Sequence, residues 1–118
     1  MPIELVDKLL QQLYEEKNKP DGIVDPGFNH LWTAHYNEIL LYKHLQEFME
    51  LCRKYKFKFT ILSNGVNLTP EKTNLIKEYL DVVAGLFLNI PAFEKDTWVQ
   101  RTGFPPNKFD ILLENLNY

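Results

Sequence analysis

The amino-acid sequence predicts an α/β fold in which three parallel strands alternate with four helices. Segments with apolar residues at helical spacing alternate with short runs of β-branched and aromatic residues along the 118-residue chain. Such alternation with short connections is typical of βαβ crossovers stacked on one parallel sheet. A third observation is the almost unbroken apolar run at residues 82–90, which a strand covered by helices on both faces requires. We expect a single domain over residues 1–118.

Four segments have the spacing of amphipathic helices. The first begins at Ile3, and the second begins at about Tyr42 with its charged residues opposite the apolar face. The third follows Thr69, a favourable N-cap, and Pro70, which is tolerated at the first helical position. The last helix is expected at residues 108–117.

Three runs of β-branched and aromatic residues predict strands, at residues 28–32, 57–62 and 82–90. The segment 20–27 is dense in Pro, Gly and Asp, and the polar segment 33–38 fits neither helical nor strand periodicity, so both predict loops. A loop of about fifteen residues is expected between the third strand and the last helix, and its length suggests a functional role.

Charge and cysteine content exclude several classes of protein. The net charge is −3 and the pI is about 5.6, so we expect neither a general nucleic-acid binder nor a protein attracted to anionic membranes. No stretch approaches the roughly 20 apolar residues that span a bilayer, and the amphipathic N-terminus does not resemble a signal peptide. The single cysteine, Cys52, forbids an internal disulfide and suits a reducing compartment. These observations predict a cytoplasmic protein.

Polar side chains follow the first two predicted strands, at the edge where parallel α/β sheets bind their ligands. After the first strand, Tyr36, Asn37 and Glu38 supply an amide and a carboxylate suited to an ammonium group or a ribose hydroxyl. A capped turn would use the same residue types. After the second strand, Ser63 and Asn64 either contribute to the same site or only form the turn into the next helix.

Two further candidates follow the third strand. Asn89 ends an apolar run that we expect to be buried, so its side chain has to be satisfied by a ligand or by the neighbouring loop. Arg101 has the planar guanidinium that binds carboxylates and phosphates, although a surface arginine is the commoner arrangement.

Neither a metal site nor a catalytic nucleophile is predicted. No periodicity brings His30 and His35 together, and the sequence contains no paired-histidine motif. Cys52 falls on the apolar face of the second helix, which predicts a buried and inert thiol.

Several short motifs occur in order along residues 23–117. They are Tyr36-Asn37-Glu38-Ile39 followed by Leu40-Leu41, Ser63-Asn64-Gly65 followed by Leu68, Thr69 and Glu71, Asn89 at a strand end, and Arg101 and Gly103 before Phe109, Leu112, Leu113, Asn115 and Leu116. In this order and spacing they resemble the middle of a radical S-adenosylmethionine (SAM) enzyme. The first motif occupies the place of that family's glycine-glycine-glutamate-proline motif. The resemblance implies that the chain is a segment of a partial (β/α)6 barrel.

The resemblance also implies a SAM pocket. The backbone around Tyr36 and Asn37 and the side chain of Glu38 would hold the amino group of SAM, and Ser63 and Asn64 would lie near its ribose or carboxylate. The two candidates after the third strand would line the same pocket.

The chain departs from the family where the iron–sulfur cluster is bound. The family holds a four-iron cluster with a CxxxCxxC loop, and this sequence has only Cys52. Tyr36, Asn37 and Ile39 replace the motif's two glycines and proline. We therefore expect SAM as the cofactor, no cluster bound by this chain, and no catalysis by this chain alone.

Two classes of function stay open. The chain is either a fragment of a radical SAM enzyme core or a stand-alone, non-catalytic α/β binding or interaction module. A flavodoxin-like or response-regulator-like domain is a weaker third interpretation, because the chain lacks a phosphate-binding glycine loop and a strand-end acidic cluster. Three strands leave two open sheet edges, so we expect a homo-oligomer.

Overall fold

In the computed structural model of the chain, the described residues are 1–23, 25, 27–32 and 38–118. They form helix α1 (Ile3–Lys17), strand β1 (His30–Trp32), a 3-10 helix (Ile39–Leu41), α2 (Leu45–Tyr55), β2 (Lys58–Ser63), α3 (Pro70–Glu78), β3 (Val83–Leu88), α4 (Lys95–Thr102) and α5 (Pro106–Asn117). The strands lie in the order β1-β2-β3 and both pairs are parallel. The predicted α/β class with three parallel strands is therefore confirmed. Within the described residues, no helix has both the length and the apolar content needed to cross a membrane.

The start of α3 agrees with the prediction in detail. The Thr69 hydroxyl accepts a hydrogen bond from the Lys72 amide at 3.3 Å, which satisfies one of the free N–H groups of the first turn. Other boundaries differ by a few residues. Helix α2 begins at Leu45 rather than at Tyr42, because the 3-10 helix and a turn occupy the chain before it.

Strand β2 lies at the centre of the sheet and of the larger apolar core. Phe59 is fully buried and packs edge-to-face on Phe48 of α2, with ring centroids 5.0 Å apart. Ile61 is also fully buried in this core. Because side chains alternate along a strand, Thr60 and Leu62 lie on the opposite face of the sheet.

Helix α1 packs on α2 and closes one side of this core. Val6 and Leu10 are its buried residues. The Tyr55 hydroxyl of α2 donates a hydrogen bond to the Asp7 carboxylate at 2.5 Å, which raises the pKa of Tyr55. The rings of Tyr14 and Tyr55 lie 6.0 Å apart. The contact between the two helices therefore combines apolar burial with one polar bond across the interface.

A second, smaller core lies between α4 and α5. Trp98 of α4 is fully buried, stacks on Phe104 and contacts Phe109 of α5. Helix α4 lies in the segment predicted to be a long loop, so that prediction and the count of four helices were wrong. The Glu94 carboxylate caps α4 by accepting a hydrogen bond from the Thr97 amide at 3.2 Å. Glutamate is an unusual N-cap, and one buried residue among eight leaves little periodicity to detect.

Strand β3 lies at an edge of the sheet and is not covered on both faces, which corrects the prediction for residues 82–90. The strand itself is confirmed, but Leu86, Phe87 and Leu88 are exposed. An apolar run identifies a strand without identifying its neighbours. An edge strand that pairs with another chain can have the same composition as a strand enclosed by helices.

We predict that Asn115→Ala lowers the free energy of unfolding by about 2 kcal/mol. The buried Asn115 amide of α5 donates to the carbonyl oxygens of Gly65 and Val66, both at 2.9 Å, so its loss leaves two carbonyl groups without this donor. Urea unfolding measures the effect. The control is Asn117→Ala, which removes an exposed amide from the same helix. Equal stability of the two variants would contradict the assignment.

Candidate functional site

Four of the predicted site residues meet at the carboxyl end of β2. Ser63 is the last residue of that strand, and its carbonyl oxygen accepts a hydrogen bond from the main-chain N–H of Asn89 at 2.9 Å. The main-chain N–H of Asn64 donates to Oε2 of Glu38 at 3.4 Å. The ends of β2 and β3 and the start of the 3-10 helix are thereby joined through main-chain groups of β2 and its turn.

The side chains of Ser63 and Asn64 form the turn after β2. The Ser63 hydroxyl accepts from the Gly65 amide at 3.0 Å, and the Asn64 side-chain oxygen accepts from the Val66 amide at 3.0 Å. The sequence allows either a ligand site or a turn at these residues, and these hydrogen bonds are those of a turn. Both residues therefore have a structural role, which also fixes the direction in which the Asn64 amide points.

The turn requires glycine at position 65. Gly65 has φ +85°, a conformation that residues with a Cβ seldom adopt. A Cβ at this position would lie 2.5 Å from Cδ1 of Leu112 in α5. Glycine therefore permits both the turn and the close packing of α5 against it.

Glu38 is the most unusual group of the site. Its Oε1 atom is buried and has no hydrogen-bond partner among the described residues, whereas Oε2 accepts from Asn64. A buried carboxylate oxygen that lacks a donor is costly, and a cationic donor such as an ammonium group would satisfy it. An ammonium group is therefore one partner that would suit this oxygen.

A cavity of about 500 Å³ lies beside Glu38, between the N-terminus of α1 and the 3-10 helix. The described residues that line it are mostly apolar, and they are Met1, Val6, Glu38, Ile39, Leu41, Tyr42 and Phe48. The Tyr42 hydroxyl donates to the Met1 carbonyl at 2.7 Å and links the two walls. An apolar cavity with one carboxylate suits a small ligand that carries both an alkyl chain and an ammonium group.

The side chains of Asn89 and Arg101 are placed less favourably. The Asn89 side chain is exposed, so the premise that it ends a buried run was wrong. Arg101 is also exposed, and its guanidinium donates to the Pro91 carbonyl at 2.8 Å. This bond braces the segment after β3, and no hydrogen bond among the described residues joins Arg101 to Glu38. Tyr36 and Asn37 lie outside the described residues.

The chain does not fit the iron–sulfur cluster of the radical SAM family. Cys52 is fully buried in the core, as predicted, and burial raises the pKa of its thiol to about 12. A cluster needs several thiolates around one accessible position. Among the described residues, no three His, Cys, Asp or Glu side chains come together in a way that could hold a metal ion.

The sequence did not indicate the cavity or the role of Asn115. Tyr42 and Met1 lie far apart in sequence and meet only in the tertiary structure. Asn115 did leave a signal, since it follows Leu112 by three residues on the inward face of α5. A polar residue at such a position requires a buried partner, and the turn at Gly65 supplies it.

We predict that Cys52 resists alkylation by iodoacetamide in the folded protein at about pH 8 and reacts once the chain is unfolded. Rapid labelling of the folded protein would contradict this prediction.

The Cys52 thiol also affects the stability of the protein at alkaline pH. Above its ordinary pKa of 9.0 the unfolded chain loses this proton, while the folded protein retains it to about pH 12. The free energy of unfolding therefore falls across this interval. In urea unfolding, the free energy of unfolding of Cys52→Ala should fall less steeply with rising pH than that of the unmodified chain.

No family model matches the chain, and no curated protein or solved structure matches it either.

Proposed function

We propose that the chain is a core segment of a radical SAM-type partial (β/α)6 barrel that retains part of the SAM pocket and is not catalytic by itself. The parallel α/β sheet is compatible with a segment of such a barrel. The proposal is supported by Ser63, Asn64 and Asn89, which lie at the carboxyl ends of β2 and β3, where parallel α/β folds bind ligands.

The observation that carries the proposal is the buried Oε1 of Glu38. Glu38 stands at the glutamate of the motif that holds the amino group of SAM in the resembled family. An ammonium group donating to Oε1 would complete a carboxylate whose other oxygen already accepts from Asn64. The adjacent apolar cavity would receive the methionine alkyl chain.

The residues present fit the methionine end of SAM and do not fit the cluster. When bound, SAM supplies a sulfonium centre and an adenosyl group. This chain's own residues would hold the ammonium group at Glu38 and place the apolar side chains of Ile39, Leu41 and Phe48 against the alkyl chain. The single buried Cys52 cannot bind the cluster that starts the family's chemistry.

A second candidate is a stand-alone, non-catalytic interaction module. It is favoured by the exposed apolar strand β3, which offers a surface for another protein. This function does not require a ligand at Glu38, so the two candidates separate in a binding experiment.

We predict that SAM binds the chain and that Glu38→Gln weakens its binding about tenfold or more, because a charged hydrogen bond is lost. Isothermal titration calorimetry measures both dissociation constants. Adenosine serves as a second probe, since it lacks the ammonium group, and its affinity should be the same for both proteins.

The matched control is Glu114→Gln, which makes the same change of charge at an exposed position of α5. It should bind SAM as the unmodified chain does. A dissociation constant above about 1 mM for the unmodified chain, or equal SAM affinities for Glu38→Gln and Glu114→Gln, would refute the pocket.

A further inference from the structure

A second cavity lies at the amino-terminal end of the sheet, opposite the end that carries Glu38. Its volume is about 220 Å³, and Asn29 and Val82 line it immediately before β1 and β3 begin. Lys58, the first residue of β2, lines it as well. Pockets for drug-sized ligands have volumes of roughly 300–1,000 Å³, so this cavity suits a single compact chemical group.

The charged side chains around this cavity are mostly cationic. Among the described residues that line it, three are cations and one is a carboxylate: Arg53, Lys56, Lys58 and Asp81. The chain as a whole carries a net charge of −3, so these cations are concentrated against the overall charge. A concave surface lined mainly by one sign of charge attracts ligands of the opposite sign.

The carboxylate of Asp81 is already bound by Arg53. The Arg53 guanidinium donates to both carboxylate oxygens, at 2.8 and 2.7 Å, and its central carbon lies 4.5 Å from the centre of the Tyr79 ring. The guanidinium is thereby fixed, and the N–H groups on its Nη1 atom do not take part in these bonds. Within the described part of the chain, neither Lys56 nor Lys58 has a hydrogen-bond or ion-pair partner.

The backbone at Lys56 indicates that this residue is kept for its side chain. Lys56 caps the carboxyl end of α2 with φ 62°, and it is the one non-glycine residue with a positive φ in the described ranges. The next residue, Phe57, completes the cap by donating its main-chain N–H to the Cys52 carbonyl at 2.8 Å. Glycine is the usual residue at such caps, because it adopts this conformation without the steric cost of a Cβ.

The favourable effect of a cation near a helix carboxyl end does not account for Lys56. Arg53 and Lys54 already place two positive charges in the last turn of α2, where they complement the helix dipole. A third cation adds repulsion from its neighbours to the cost of the left-handed backbone. Costly backbone conformations occur preferentially at binding sites, where one particular side chain is needed. An anionic ligand would supply that need.

We propose that this cavity binds the phosphate group of a small molecule. Lys56 and Lys58 would donate charge-assisted hydrogen bonds to the phosphate oxygens, and Arg53 would add its remaining N–H groups. A phosphate dianion balances both lysines, whereas a carboxylate balances only one. A nucleic acid fits less well, because the acidic remainder of the chain would repel its other phosphates. The proposal goes beyond the SAM pocket and does not depend on it.

Titration of the unmodified chain with inorganic phosphate, followed by two-dimensional amide NMR at low ionic strength, tests the site. The main-chain amide signals of Lys56, Phe57 and Lys58 should shift and reach saturation, with a dissociation constant of about 1 mM or below. Raising the ionic strength to about 0.15 M should weaken binding, because the lysines are exposed to solvent.

Lys56→Gly separates the binding role of this residue from any role in stability. Glycine suits the positive φ, so the variant should unfold at an equal or higher urea concentration than the unmodified chain. Its dissociation constant for phosphate should nevertheless rise about tenfold, because one charged hydrogen bond is lost. The matched control is Lys8→Gln, which removes one positive charge from an exposed position of α1 that does not line the cavity. It should bind phosphate as the unmodified chain does.

Methyl phosphate distinguishes the two sources of the phosphate group, since tighter binding of the ester assigns a phosphorylated metabolite and tighter binding of inorganic phosphate assigns the free ion. Three results would overturn the proposal: no saturation at about 10 mM phosphate, equal affinities of Lys56→Gly and Lys8→Gln, or tighter binding of a short single-stranded RNA at the same lysines. Lys56→Gly should bind SAM as the unmodified chain does, so failure of either proposal is recognised independently of the other.

Discussion

The turn at residues 63–66 is the local structure on which both the site and the joining of the two cores depend. Three segments are fixed to this turn by hydrogen bonds: the 3-10 helix through Glu38, the end of β3 through Asn89 and helix α5 through Asn115. Most of the groups that the turn contributes are main-chain N–H and C=O groups, whose direction is set by backbone geometry. The positive φ of Gly65 and the side-chain bonds of Ser63 and Asn64 together set that geometry.

The same glycine couples the two apolar cores. Leu112 belongs to the smaller core and packs where a side chain at position 65 would stand. Asn115 satisfies the carbonyl groups that this close packing removes from water. The absence of a side chain at Gly65 lets the second core pack closely against the turn after β2. This packing buries main-chain carbonyl groups, and the side-chain amide of Asn115 supplies the hydrogen bonds that they need.

The parts of the fold that local chemistry decides could be predicted from the sequence. The cap at Thr69 and the apolar pattern of β2 depend on residues close in the chain, and both are confirmed. Helix α4 could not be predicted, because its single buried residue, Trp98, is held by α5 and not by a helical pattern of its own. The exposure of β3 was missed for a related reason, since burial depends on neighbours that a strand sequence does not encode.

Only part of the candidate site could be predicted from the sequence. The rule that ligands bind at the carboxyl ends of parallel strands led to Glu38 and Asn64, which are joined by a hydrogen bond. It also led to Asn89 and Arg101, whose side chains are exposed, because the rule places residues at an edge without saying whether their side chains point to one position. The cavity beside Glu38 was not predictable, because its walls come from α1 and the 3-10 helix.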